Sequence, residues 1–155
     1  IGLRNAIYIV DQQGYDEIDF TILNFLPVDN NYQSGTSLSD YFKYFEFGEI
    51  SADFLQIKGW KKTNEWVNLH ETGDCNPELS TRRIFPYKFL LKRYPIRSQK
   101  HGNNKLFRDR VPRYTSEERQ IGWKAHYDVF PGSSFIQNPK TLVHIRFSLE
   151  DLSLL

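Results

Sequence analysis

Glu17-Ile18-Asp19-Phe20-Thr21-Ile22-Leu23-Asn24-Phe25-Leu26 is the stretch that decides the fold. Ile18, Phe20, Ile22, Leu23, Phe25 and Leu26 supply the aromatic, β-branched and aliphatic side chains that suit a pleated, buried surface. The run reads as a strand, buried on both faces at least at its end. Pro27 closes it, and Asp29, Asn30 and Asn31 supply turn chemistry. The acids of Asp16 to Asp19 read as the strand's polar start.

On the N-terminal side, Leu3, Ala6, Ile7 and Val10 recur at helical spacing and Gly14 stops the pattern, which predicts a short amphipathic helix. On the C-terminal side, Ser37 with Asp40 three residues on resembles a capping box. Tyr41, Phe42, Tyr44 and Phe45 extend that helix as an aromatic face toward Gly48. Residues 54–60 alternate and predict a second strand. Residues 63–81 read as a loop. Arg83 to Tyr94 predicts a third strand, interrupted at its start by Pro86. Ile96 to Arg110 reads as a turn and a short helix, broken by Gly102-Asn103-Asn104. Thr115 or Ser116 caps a further helix to about Tyr127, Pro131 to Ser134 reads as a linker, and Leu142 to Phe147 adds a strand before a short helix. Strands with helices between them predict an α/β or α+β class.

Composition narrows the class. The chain has 155 residues, 39% of them hydrophobic and 25% charged, which excludes a disordered or membrane-spanning protein. A domain of this length buries roughly 68–70% of its unfolded surface. One cysteine, Cys75, cannot form an intrachain disulfide. No apolar run reaches the ~18 residues of a membrane helix, and no signal-peptide pattern opens the chain. The expectation is a cytoplasmic protein, with peripheral membrane contact left open. The chain has no Met and opens on a helix pattern, so it is expected to start inside a longer protein.

The net charge of +1 conceals an asymmetry. Residues 82–113 hold eleven Lys and Arg against one acid, Asp109, a net +10, while the remaining nine bases and eighteen acids net −9. A block of this kind suits an anionic partner: a diphosphate, a nucleic acid or an anionic membrane. A solvated basic face is the alternative. Within the block, Lys92-Arg93-Tyr94-Pro95-Ile96-Arg97-Ser98-Gln99-Lys100-His101-Gly102 ends a strand and turns through a proline. Proline at a first helical position would leave the following amides for an anion. Arg97 offers a bidentate fork and Ser98 a hydroxyl, and Lys105 and Arg108 follow at helix-like spacing. None of His70, His101, His126 and His144 lies three or four residues from another, which excludes a helical metal pair.

This segment resembles a motif of bacterial family 2-like glycosyltransferases, Lys-His-Tyr-Pro-Ile-Arg-Ser-Gln followed by His-Gly and a Lys. Further segments match in order: Asp19-Phe20-Thr21 through Asn24-Phe25 and Pro27-Val28-Asp29 resemble the family's central strand and turn. Tyr44-Phe45-Glu46-Phe47-Gly48 resembles the end of the next helix, and Gln56-Ile57-Lys58-Gly59-Trp60-Lys61 resembles its Lys-Ala-Trp-Lys strand. Arg82 to Lys92 leads into the basic motif, and Glu117 to Asp128 fits the family's tail. The resemblance covers roughly residues 3 to 128.

What the resemblance implies is the C-terminal part of a GT-A fold, a Rossmann-like α/β domain with a mixed sheet. Residues 1–130 would be the C-terminal half of the catalytic domain and 131–155 an extension. The partners implied are a nucleotide-sugar donor, a glycan-type or lipid-linked acceptor and the N-terminal half of the same domain. The transfer would be inverting. A divalent metal, Mn or Mg, would be held by an Asp-x-Asp motif in that other half, and none by this chain. Tyr94, Arg97, Ser98, His101 and Lys105 carry over as clamp candidates on the diphosphate. Lys58 and Trp60 carry over on the acceptor side. An inverting transfer also needs a general base; Asp29 and Asp74 are the two candidates. Arg93 stands where the motif has His and could meet the diphosphate directly. Thr72-Gly73-Asp74-Cys75 replaces the family's Ser-Gly-Gly-His. An inactive relative and a basic nucleic-acid-binding module are the alternatives, although no nucleic-acid motif is present.

Overall fold

The structure is a computed structural model and describes residues 2–48, 56–62, 83–109 and 132–145. Helix α1 spans Leu3–Gln12, close to its expected extent. Gly14 ends it at φ +77°, a left-handed conformation that favours glycine. A Cβ there would also lie 3.0 Å from the Arg83 guanidinium. Only Val10 of α1 is buried.

Strand β1 spans Glu17–Phe25. Ile18, Ile22, Leu23 and Phe25 are buried, as the apolar run requires. Its acidic start is not a solvated one, however, since Glu17 and Asp19 are buried as well. The reason at Asp19 is hydrogen bonding. Its Oδ1 accepts from the backbone N–H groups of Phe20 and Gln56, both at 2.8 Å, and its Oδ2 lies 2.5 Å from Lys88 Nζ. A buried carboxylate is tolerated when charge-assisted bonds replace its water.

Two further expectations are corrected in the next stretch. The helix at Ser37 is short, with α2 covering only Leu38–Tyr41, and Ser37 makes no capping bond. Its hydroxyl lies 3.0 Å from that of Ser39 instead. Tyr44–Phe47 is strand β2 rather than a helix end. An aromatic run satisfies both a helical and a strand pattern, and pairing with a distant partner decides between them. That partner is strand β5, Val143–His144, antiparallel to β2 with Tyr44 opposite His144 and Phe45 opposite Val143.

Strand β3 is Ile57–Trp60, and strand β4 is Phe89–Arg93, following the bend at Pro86. β3 pairs antiparallel with β1, with an irregularity between Ile18 and Asp19. Ile84 forms an isolated parallel bridge with Glu17. The strand order is β3-β1-β2-β5, with β4 also on β1. The class is therefore mixed α/β. A Rossmann-like sheet is mostly parallel, whereas the pairings of β1 with β3 and of β2 with β5 are antiparallel. No helix among the described residues is long and apolar enough to cross a membrane.

The chain divides into two compact units. Of the described residues, the first holds 2–23, 47–48, 56–62 and 83–92, and the second holds 24–46, 93–109 and 132–145. Phe20 and Phe89 pack edge to face in the first unit, with ring centroids 5.8 Å apart. In the second, Phe25 meets Phe45 at 5.5 Å and Tyr94 at 5.1 Å, and Phe42 meets Tyr94 at 5.6 Å.

Candidate functional site

From Arg93 on, the basic motif lies in the second unit, where it runs from the end of β4 into helix α3, Gln99–Asn104. Pro95 is not at the first helical position, because the helix begins at Gln99. Ser98 is its N-cap, and Ser98 Oγ accepts from the His101 N–H at 3.1 Å. The hydroxyl that the sequence offered to a phosphate therefore holds the helix start. His101 Nδ1 in turn accepts from the Arg97 N–H at 3.1 Å. That bond needs the unprotonated Nδ1, and partial burial together with the charges of Arg97 and Lys105 lowers the His101 pKa below its usual value. Lys105 Nζ donates to the Pro95 carbonyl at 2.6 Å. Three clamp candidates thus shape the loop at 95–98 from inside.

Tyr94 anchors the same loop through its ring, stacked on Phe25 at an interplanar angle of 27°. Burial, and then the charge of Asp40, raise the pKa of its phenol. Arg93 is exposed and Arg97 half-buried, and neither side chain makes a hydrogen bond or ion pair with the described residues. Lys58 and Trp60 stand on β3 in the first unit, both exposed. Asp74 lies outside the described residues.

Gly102 does not break the helix but lies buried inside it. A Cβ at that position would come within 2.4 Å of the Phe135 ring. Bare backbone is therefore what lets Phe135 pack against α3. The segment read as a linker is bound there too. Gln99 Nε2 donates to the Ser133 carbonyl at 2.8 Å, and Gln99 Oε1 accepts from the Phe135 N–H at 2.8 Å. The Gln99 N–H donates to Asn30 Oδ1 at 2.9 Å. One glutamine thus connects the turn after β1, the helix α3 and residues 133–135.

These connections enclose an open cleft of about 960 Å³. Asn30, Gln99, Asn103 and Asn104 line it with carboxamides, Lys100 and Arg108 with cations, and Tyr32 and Phe107 with rings; Ser98 and Gly132 complete it. Among the described residues, no carboxylate lines it. Lys100 and Arg108 form no ion pair with the described residues. Phe107 and Arg108 sit on a π-helical turn, Lys105–Asp109, a distortion often found at functional sites. The sequence reading did not single out the carboxamides. Their signal was present, since residues 99 and 103, and 100 and 104, stand four apart and share helix faces.

Asp29 does not line this cleft. Its Oδ1 accepts from the Asn31 N–H at 2.8 Å and from the Tyr41 hydroxyl. Burial, with the bond to Asp29 and its charge, pushes the Tyr41 pKa up to about 12. Among the described residues no three His, Cys, Asp or Glu side chains gather, and Asp19 is held by Lys88. Compared with family models, curated proteins and solved structures, the chain matches none.

Proposed function

We propose that the chain is part of a GT-A-type glycosyltransferase and that its second unit receives the diphosphate of a nucleotide-sugar donor in the cleft beside α3. The observation that carries this reading is the lining: among the described residues it has four carboxamides and two cations without an ion pair, Lys100 and Arg108, and no carboxylate. Cations attract the phosphates, and side-chain amides can bond both phosphate and sugar oxygens. Tyr32 and Phe107 offer faces on which a base or sugar ring can stack. Arg97 directly precedes the lining residue Ser98 in the chain and adds positive charge to that segment. The transfer itself would move a sugar to a glycan-type acceptor with inversion.

Calorimetric titration of the protein with UDP, against uridine as control, tests this. UDP should bind saturably and uridine should not. Replacing Lys100 and Arg108 together by Ala should weaken UDP at least about tenfold, the loss expected of two charge-assisted contacts. Arg97→Ala should weaken it less. No UDP binding, or binding unchanged in the double variant, would sink the proposal. Tight binding of a single-stranded oligonucleotide without UDP binding would transfer the basic segment to nucleic-acid recognition.

A further inference from the structure

The cleft wall at Ser98 is positioned by a residue that is not part of the lining. His101, half-buried on α3, is bonded to both residues that lead into the helix. Its backbone N–H donates to Ser98 Oγ at 3.1 Å, and its Nδ1 accepts from the Arg97 N–H at 3.1 Å. The first bond survives either protonation state. The second does not. A protonated imidazole carries a proton on each nitrogen, so a donor would face a donor. Turning the ring over would offer Arg97 a carbon instead of an acceptor.

The surroundings favour the neutral form. Partial burial, then the charges of Arg97 and Lys105, hold the His101 pKa below its usual value, against an opposing pull from Asp109. Lys105 also donates to the Pro95 carbonyl at 2.6 Å, so the loop is tied at Pro95 by an ammonium and at Arg97 by a base that titrates. Protonation of that base would act on a bound anion in two opposing ways. The added charge attracts the anion, but salt screens it over a distance of ~8 Å and the imidazole does not line the cleft. The lost bond displaces the wall itself, and salt does not screen a displacement. The second effect therefore dominates.

Resting on the reading of the cleft as a diphosphate site, we infer that His101 is its proton-sensitive positioning residue: the neutral imidazole sets the Arg97–Ser98 wall for the anion, and protonation releases that wall and weakens binding. Linkage makes the coupling reciprocal, so a bound diphosphate favours the neutral imidazole. This is the opposite of what the anion's charge alone would do to a nearby histidine.

The test compares UDP affinity at about pH 7.5 and about pH 5.5 in the wild-type protein and in His101→Asn, whose side-chain oxygen can accept from Arg97 but cannot be protonated. UDP itself titrates near pH ~6, and the ratio of the two affinities at each pH cancels that contribution. The ratio of wild-type to variant affinity should fall about fivefold on acidification, the effect expected of one hydrogen bond. In the wild-type protein, NMR should show the Arg97 amide signal moving with the His101 titration, and UDP should shift that titration to lower pH; this measurement serves alone if the variant fails to fold. Absence of UDP binding at both pH values would overturn the reading of the cleft and this inference with it. UDP binding with a ratio that does not change, or a His101 titration that UDP leaves in place or moves to higher pH, would overturn this inference alone.

Discussion

Asp19 and Asp29 stand ten residues apart, near opposite ends of β1, and the two regions treat their carboxylates in opposite ways. Asp19 is buried and saturated by two backbone N–H groups and Lys88. Asp29 is half-buried, shares one oxygen with Tyr41 and Asn31, and keeps the other. The first arrangement fixes a strand junction. The second keeps an anion available beside a cavity. A buried acid is thus no sign of function by itself; an unengaged acceptor beside open space is the better one.

The largest effect should follow from Asp19→Ala. It would strip the partner from the buried Gln56 N–H and from Lys88, at a cost of about 3 kcal/mol. Denaturant unfolding measures it, and a loss under 1 kcal/mol would show that the Asp19 network is not structural. Next comes Gly102→Ala. Alanine favours a helix by up to about 1 kcal/mol, but a Cβ meeting Phe135 at 2.4 Å forces a shift that costs more, for a net loss of about 2 kcal/mol. A stabilised variant would mean that Phe135 moves freely away from α3.

Ser98→Ala removes the bond to the His101 N–H and should cost about 1 kcal/mol. Asp29→Asn should change stability by about 0.5 kcal/mol or less, since an amide oxygen can still accept from Tyr41 and Asn31. A large loss there would erase the contrast with Asp19.

The smallest effect at neutral pH belongs to His101. Its folded pKa is lowered, so between that value and its unfolded pKa of about 6.5 the unfolded chain binds more protons. Stability contributed by the neutral imidazole is therefore complete above about pH 6.5 and declines as pH falls through it, levelling off below the folded pKa. His101→Gln should flatten that part of the profile, read by thermal unfolding from pH 7.5 to 5.

Much of the framework was legible because it obeys local rules. Gly14 stops α1, Pro27 closes the run of β1, and Pro86 delays β4 until Phe89. What escaped the sequence depends on distant partners. Tyr44–Phe47 becomes a strand because Val143 and His144 pair with it, nearly a hundred residues on. Gly102 reads as a breaker until Phe135 packs on it. The acidic start of β1 reads only as a polar entry because neither Gln56 nor Lys88 announces its approach. The site was half legible: charge alone located the basic loop. Ser98, His101 and Lys105 instead engage its own backbone, and this internal wiring has no signature in composition.

The contact between Gly102 and Phe135 also bears on synthesis. A ribosome releases residues 99–104 well before residue 135, and chains fold as their segments emerge. Until Phe135 arrives, α3 has a glycine where its packing partner should be, and Gln99 lacks its Ser133 and Phe135 acceptor and donor. Six residues are too few to hold a helix in water unaided. The basic loop therefore takes its working shape late, as one of the last parts of the second unit to be completed during translation.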